Sequence, residues 1–328
     1  MVAKETKRQH FVPETYLRKF SVAGKKKKYQ IYAANKSDIE KIFLSNTENV
    51  CVYKDLYTLP GKTAEERMLI ERFYGETYET NYNRIYDMLT DDSYRNHSES
   101  DNKLIVSTLI TMLFRTTRLL SVHNDLMNRV FFQAVSFCEQ SGKDYFTWED
   151  QKIMLNGRSA KELMSDHKRD SRVSQVLTQL KVALRLIEIR KDNSISVVKI
   201  KTNGPEFITS DNPVTLYNFD TKHIAPFDPK NVISLPLNKQ YKVIIYPFKN
   251  LGYISRLIHD DVLSYSEVMT TDYEQFSSSE NFILGSEKGL NDFIEIRRKA
   301  DTVIEVSDHQ NEELKRLQTI ARDLGLLP

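Results

Sequence analysis

The chain of 328 residues holds only two cysteines, one tryptophan, nine prolines and ten glycines. Cys51 and Cys138 stand alone, with no CxxC and no Cys/His spacing, which argues against a disulfide framework or a structural zinc site and fits a reducing compartment. Long apolar runs are also missing. The longest, Leu104 to Leu113, is broken by Ser107, Thr108 and Thr111 and falls short of the roughly 20 residues that span a bilayer. The N-terminus is charged from its first residues, with no apolar stretch behind them, so a cytoplasmic protein with no membrane partner is expected. No GxSxG, GxxxxGK[ST] or GxGxxG string is present, which sets aside serine hydrolase, P-loop and Rossmann readings.

Charge, by contrast, is abundant and unevenly placed. Residues 1–30 carry nine basic side chains against two acidic ones, an excess of seven; since the whole chain is only +2, the remainder is net negative. A positive field at one end attracts phosphate-bearing partners, and RNA is the favoured one.

Hydrophobic period divides the chain into blocks. Tyr29 to Ala34 and Ile39 to Leu44 alternate across Asn35-Lys36-Ser37-Asp38 and predict a β-hairpin, with Val50 to Leu59 as a third extended segment. From Thr63 the period is helical: a long or broken helix to Leu89, then Lys103 to Gln140, Thr147 to Leu155 more weakly, and Ser174 to Ile189. Ser194 to Lys201, with Glu206 to Thr209 returning after Asn203-Gly204-Pro205, and a hairpin Val232 to Leu237 with Gln240 to Pro247 restore strands. Helices resume at Asp260 to Ser278, Glu287 to Lys299 and Gln310 to Leu324, with an extended piece at Asn281 to Gly285. Segregated strands and helices predict an α+β fold: an N-terminal β-hairpin and C-terminal antiparallel strands around a central helical bundle. No linker or repeat separates the blocks, so one intertwined domain over 1–328 is expected, with segments 1–60, 61–190, 191–300 and 301–328.

Gln9-His10-Phe11-Val12-Pro13 sets a titratable imidazole at the mouth of a short helix, with Pro13 at its first position and Tyr16, Leu17 and Phe20 on one face. Far along the chain, Phe207-Ile208-Thr209-Ser210-Asp211-Asn212-Pro213-Val214 presents an acid and an amide before a proline that holds them extended. With the central Phe114-Arg115-Thr116, these segments resemble the bacterial and phage family called domain of unknown function 4238, from about Lys7 to about Ala300; Thr117 stands where that family often has proline. The resemblance implies an accessory or defence-associated protein of mobile genomes, with no settled activity.

The expected catalytic set is His10, Asp211, Asn212 and Arg115: a general acid or base, its orienter, a substrate-orienting amide and a cation for developing phosphate charge. Arg8, Gln9, Tyr16, Arg18, Arg118 and Ser210 are the expected substrate contacts. On a continuous helix Arg115 and Arg118 lie about 60° apart and form one cationic face. Arg118 and His123 also have the Arg-x4-His spacing of the HEPN ribonuclease motif, but five residues on one helix put them about 140° off a common face. No cofactor is expected. The only metal arrangement the residue types suggest is a divalent cation on His10, Asp211 and a glutamate such as Glu71, while Glu65, Glu66, Glu71, Glu76 and Glu79 read as a solvated helix face. Together these residues predict a nuclease-like enzyme on a phosphate substrate. The rival is a nucleic-acid or protein-binding module in which the same residues are structural.

Overall fold

The computed structural model describes residues 6–24, 28–148, 151–221, 224–249 and 252–299. Lys4, Lys25 to Lys27 and the segment Gln310 to Leu324 lie outside the described residues. In chain order the elements are β1 (Arg8–His10), α1 (Glu14–Leu17), β2 (Val22–Ala23), β3 (Tyr29–Asn35), β4 (Asp38–Asn46), β5 (Val52–Lys54), α2 (Ala64–Arg67), α3 (Leu69–Tyr74), α4 (Thr80–Thr90), α5 (Glu99–Arg115) and α6 (Thr117–Ser141). There follow β6 (Tyr145–Trp148), β7 (Gln151–Met154), α7 (Ala160–Arg190), β8 (Asn193–Lys199), β9 (Thr209–Ser210), β10 (Thr215–Tyr217), β11 (Val232–Pro236), β12 (Tyr241–Lys249), β13 (Ile254–Ile258), α8 (Asp261–Ser278) and β14 (Phe282–Gly285). Residues 287–299 are helical. The fold is α+β, about 49% helix and 24% strand.

Two five-stranded sheets carry the architecture. One runs β10-β11-β12-β8-β13, antiparallel except for the β8–β13 pair. The other runs β2-β3-β14-β9 with β4 on the free side of β3, so the N-terminal hairpin is completed by strands from the far end of the sequence. One apolar cluster reaches from Phe11 through Ile105, Leu109 and Ile110 of α5 to Ile195, Val243 and Leu284. The strands read at β3, β4, β11 and β12 form as the two hairpins expected, although β11 is buried along its whole length and β4 has no fully buried position.

Val50 to Leu59 holds its extended segment as β5, which pairs with β1 and aligns His10 with Val52. Three readings need correction. Thr147 to Leu155 belongs to the hairpin β6–β7, whose Phe146, Trp148 and Ile153 pack on a satellite core with Met127 and Phe131. Glu206 to Thr209 does not return alongside β8, because β9 pairs with β14 in the other sheet. Lys103 to Gln140 is not one helix: Thr116 is extended, at φ −70° and ψ 157°, and divides α5 from α6. Segment 99–141 is long and apolar enough to cross a membrane, yet 67% of its apolar window is buried in the protein, as in a core helix.

Candidate functional site

Strand alternation sorts the N-terminal motif. Gln9 points inward and is fully buried: its Oε1 accepts from Tyr57 N at 2.6 Å and its Nε2 donates to Thr58 Oγ1 at 3.2 Å. Arg8 points outward to Asn49 Oδ1 at 3.0 Å. Half-buried His10 places Nε2 3.3 Å from the carbonyl of Thr47. A carbonyl only accepts, so the neutral ring carries its proton on Nε2 and leaves the Nδ1 lone pair without a hydrogen bond among the described residues. Burial lowers the His10 pKa, against the raising effects of the Thr47 carbonyl, Glu14 and Glu79.

Pro13 caps α1 rather than opening it, and α1 turns Tyr16 fully inward. The Tyr16 hydroxyl meets Thr209 Oγ1 at 2.5 Å and donates to the carbonyl of Pro236 at 3.0 Å. Arg18 stays at the surface on Glu14, 3.2 Å from its Nε.

Arg115, the last residue of α5, ties these pieces together. Its side chain is buried; Nη1 donates to Glu79 Oε1 at 2.8 Å and Nη2 donates to the carbonyl of His10. The guanidinium lies 4.6 Å from the ring centre of Tyr74, and the Arg115 carbonyl accepts from the Tyr57 hydroxyl at 2.6 Å. Burial opposes its charge, but Tyr57 and Glu79 outweigh burial and its pKa is raised. Glu79 ends a π-helical turn, Gly75–Glu79, between α3 and α4. Such a turn inserts an extra residue and rotates the helix beyond it, which explains how a nominal surface position comes to face Arg115.

Glu71 on α3 is the second carboxylate here. Burial pushes its carboxyl up to about 7, partly offset by Arg115 and reinforced by Glu79. Its Oε2 is buried without a hydrogen-bond partner among the described residues. The acidic helix face is therefore not wholly solvated: Glu71 and Glu79 turn toward Arg115.

The second motif meets the first through Tyr16 and Thr209, but its acid and amide bond elsewhere. Asp211, 2% exposed, accepts from the backbone amides of Glu280 at 2.8 Å, Asn281 at 2.7 Å and Phe282 at 3.2 Å. Burial raises its pKa while the three amides lower it. None of these bonds runs to His10, whose electrostatic neighbours are Glu14, Glu79 and Arg115. Asp211 is linked to the N-terminal motif through Cys51: it acts electrostatically on the thiol, and the Cys51 carbonyl accepts from Phe11 N at 3.0 Å. Ser210 donates to Gln275 Oε1 at 2.9 Å. The Asn212 amide accepts from Thr116 Oγ1 at 2.9 Å and donates to the Ser278 carbonyl at 3.2 Å.

That Thr116–Asn212 bond sits at the break between α5 and α6, and the break undoes the common cationic face. Arg115 turns to His10, whereas Arg118 donates to the carbonyl of Ser278 and lines a cavity of about 330 Å³ with Asn212, Thr215 and Glu274. His123 lies on unbroken α6 and stacks toward His167 on α7, 6.3 Å between ring centres, away from the partner of Arg118. Among the described residues no three His, Cys, Asp or Glu side chains stand together to hold a metal ion, so His10, Asp211 and Glu71 do not converge on one. The structure thus brings His10 to Arg115, and Asn212 to Arg118, as two neighbouring clusters. Sequence reasoning treated Glu79 only as surface and gave Glu274 no role; nothing in their local strings distinguishes them, because partners distant in sequence create their settings.

No curated protein and no solved structure matches the chain. Its residues 8–251 match the family described as Protein of unknown function (DUF4238), a span that begins at Arg8 and takes in the His10, Arg115 and Asp211 segments. The chain belongs to that family.

Proposed function

We propose that the protein is a phosphate-substrate enzyme, a nuclease-like hydrolase of RNA, with His10 and Glu71 as its acid–base pair. One observation carries this reading: the buried Arg115 holds both the His10 carbonyl and Glu79, beside a half-buried Glu71 whose Oε2 has no partner among the described residues. Two titratable groups whose surroundings move their pKa values in opposite directions are the usual mark of divided acid and base roles. His10 Nδ1 takes the proton of the attacking hydroxyl, and protonated Glu71 supplies one to the leaving oxygen. Arg115 is too buried to touch a phosphate and acts as a positioning residue. A groove of about 280 Å³ lined by Glu14, Arg18, Lys28, Thr47 and Glu48 adjoins the His10 ring through Thr47; its cations are paired within it, Arg18 with Glu14 and Lys28 with Glu48, so a phosphate backbone would have to displace those carboxylates. A role in mobile-element or phage defence rests on the family resemblance alone.

The test is cleavage of a short labelled RNA by the purified protein. His10→Ala should lose cleavage by about 100-fold or more, as removal of a general base does, with the melting temperature kept. Unchanged cleavage by that variant removes the assignment. A second reading, a binding module without catalysis, is favoured by Gln9, Tyr16, Asp211 and Asn212, whose polar atoms are committed to internal bonds. It expects His10→Ala to lower the melting temperature and no RNA to be cut.

A further inference from the structure

The cavity beside the start of α6 has two chemically distinct sides. Leu113, Leu119, Val214, Leu216 and Pro226 form an apolar wall, and Arg118 and Glu274 supply its charges. Arg118 is fixed by one bond, Nη1 to the Ser278 carbonyl, and its Nε and Nη2 make no hydrogen bond among the described residues. Glu274 Oε2 accepts from Thr215 Oγ1 at 3.1 Å, and Thr215 is held in turn by Ser234 Oγ at 2.8 Å. Glu274 Oε1 has no hydrogen-bond partner among the described residues.

Behind Glu274 lies buried Lys242, which is committed to Glu267 and donates to Thr271 Oγ1 at 2.9 Å. Its charge supports Glu274 without occupying it. Burial raises the Glu274 pKa, and Lys242 and Thr215 lower it. Ser278, where Arg118 is anchored, comes four residues after Glu274 on α8, and Arg118 and Glu274 line the same cavity. A volume of about 330 Å³ is at the lower end of the roughly 300–1,000 Å³ typical of small-molecule sites, room for one flat ring system and a short charged arm.

We infer that this cavity seats a single nucleoside phosphate, free or as one residue of an RNA strand, with its phosphate on Arg118 and the amino edge of its base on Glu274. An ionised carboxylate only accepts hydrogen bonds. It therefore selects bases with an exocyclic amino group, such as cytosine or guanine, over uracil, whose donor is flanked by two carbonyls. The phosphate assignment rests on the function proposed above; the base selectivity and the binding do not require catalysis by His10.

Calorimetric titration of the whole protein with CMP, UMP, ribose 5-phosphate and inorganic phosphate, and with oligo(C) and oligo(U), tests this. A preference for cytidine over uridine of about tenfold or more is expected, the penalty for a mismatched buried polar group. Preference among mononucleotides marks the free ligand as sufficient, and preference among oligonucleotides alone marks the strand. Glu274→Gln, which offers a donor as well as an acceptor, should bring the ratio to about one. Leu119→Trp should fill the cavity and abolish both affinities with the melting temperature kept. Equal binding of CMP and UMP, competition by inorganic phosphate as strong as by CMP, or CMP affinity unchanged by both substitutions overturns the inference. Cytidine-selective binding by a protein that never cuts RNA leaves this site standing and removes the nuclease reading.

Discussion

Arg115 Nη1 lies 2.8 Å from Glu79 Oε1, an ion pair whose arginine side chain is 1% exposed and whose carboxylate is 26% exposed. The same guanidinium holds the His10 carbonyl, so the last residue of a central helix fixes both the N-terminal strand and the π turn that carries Glu79. Whatever chemistry His10 performs depends on this clamp, because the carbonyl being held is that of the histidine itself.

Arg115→Ala should therefore destabilise the fold by about 3–5 kcal/mol, the range for breaking a buried pair by removing one partner. Arg115→Lys should recover little of it, since one ammonium cannot hold two divergent acceptors as a planar guanidinium does. Glu79→Gln in the Arg115→Ala background should cost much less than Glu79→Gln alone, because the two substitutions remove one interaction. Urea denaturation of the wild type and these variants checks this. A loss below about 1 kcal/mol for Arg115→Ala contradicts the clamp.

Glu71 offers a measurement with a definite sign. Its carboxyl is raised from 4.5 to about 7 in the folded protein, so the folded state binds more protons than the unfolded between those values and stability falls as pH rises through that window. Glu71→Gln removes the buried charge. It should stabilise the protein at pH 8 by up to about 3 kcal/mol, and the gain should vanish below about pH 4.5, where both states carry a neutral side chain. An equal effect at pH 4 and pH 8 rules out the charge as its cause.

The range of the forces involved decides which parts of the molecule are legible in its sequence. The β3–β4 and β11–β12 hairpins are legible because alternation and turn residues act over a few neighbours. The helix break at Thr116 is not, because it is coupled to Asn212, 96 positions away, and Thr116-Thr117 has no strong breaking propensity of its own. The chemistry of Gln9, Tyr16, Asp211 and Asn212 is visible as residue types, but the destinations of their bonds are not. Tyr57, Pro236, Glu280 and Thr116 are brought to them only by the assembled sheets.

Asp211 separates an orienting role from a structural one. Asparagine there keeps one acceptor and turns an amide donor toward backbone N–H groups, so Asp211→Asn should cost about 2–4 kcal/mol by loss of charge-assisted bonds. The imidazole titration of His10, followed by NMR, should stay where it is in wild type, since His10 draws its electrostatic neighbours from Glu14, Glu79 and Arg115. A clear shift in that titration would instead tie the two motifs into one site.

The pH dependence of the proposed reaction combines the two displaced groups. His10 is lowered below 6.5 by burial, so as a base it stays active somewhat below neutrality and its protonation sets the acid limb of kcat/KM. Stability moves the same way: the unfolded histidine takes up a proton near 6.5 while the folded one resists, so His10 costs stability as pH falls through that region. Glu71, up at about 7, must be protonated to act as the acid and sets the basic limb. The profile of RNA cleavage should thus be a narrow bell between a value below 6.5 and about 7. Glu71→Gln should lower the whole profile and flatten its basic side, while His10→Ala should leave too little rate to titrate. Activity that climbs steadily through pH 8 in the unmodified protein would show that Glu71 is not the acid, and the site would then need another proton donor.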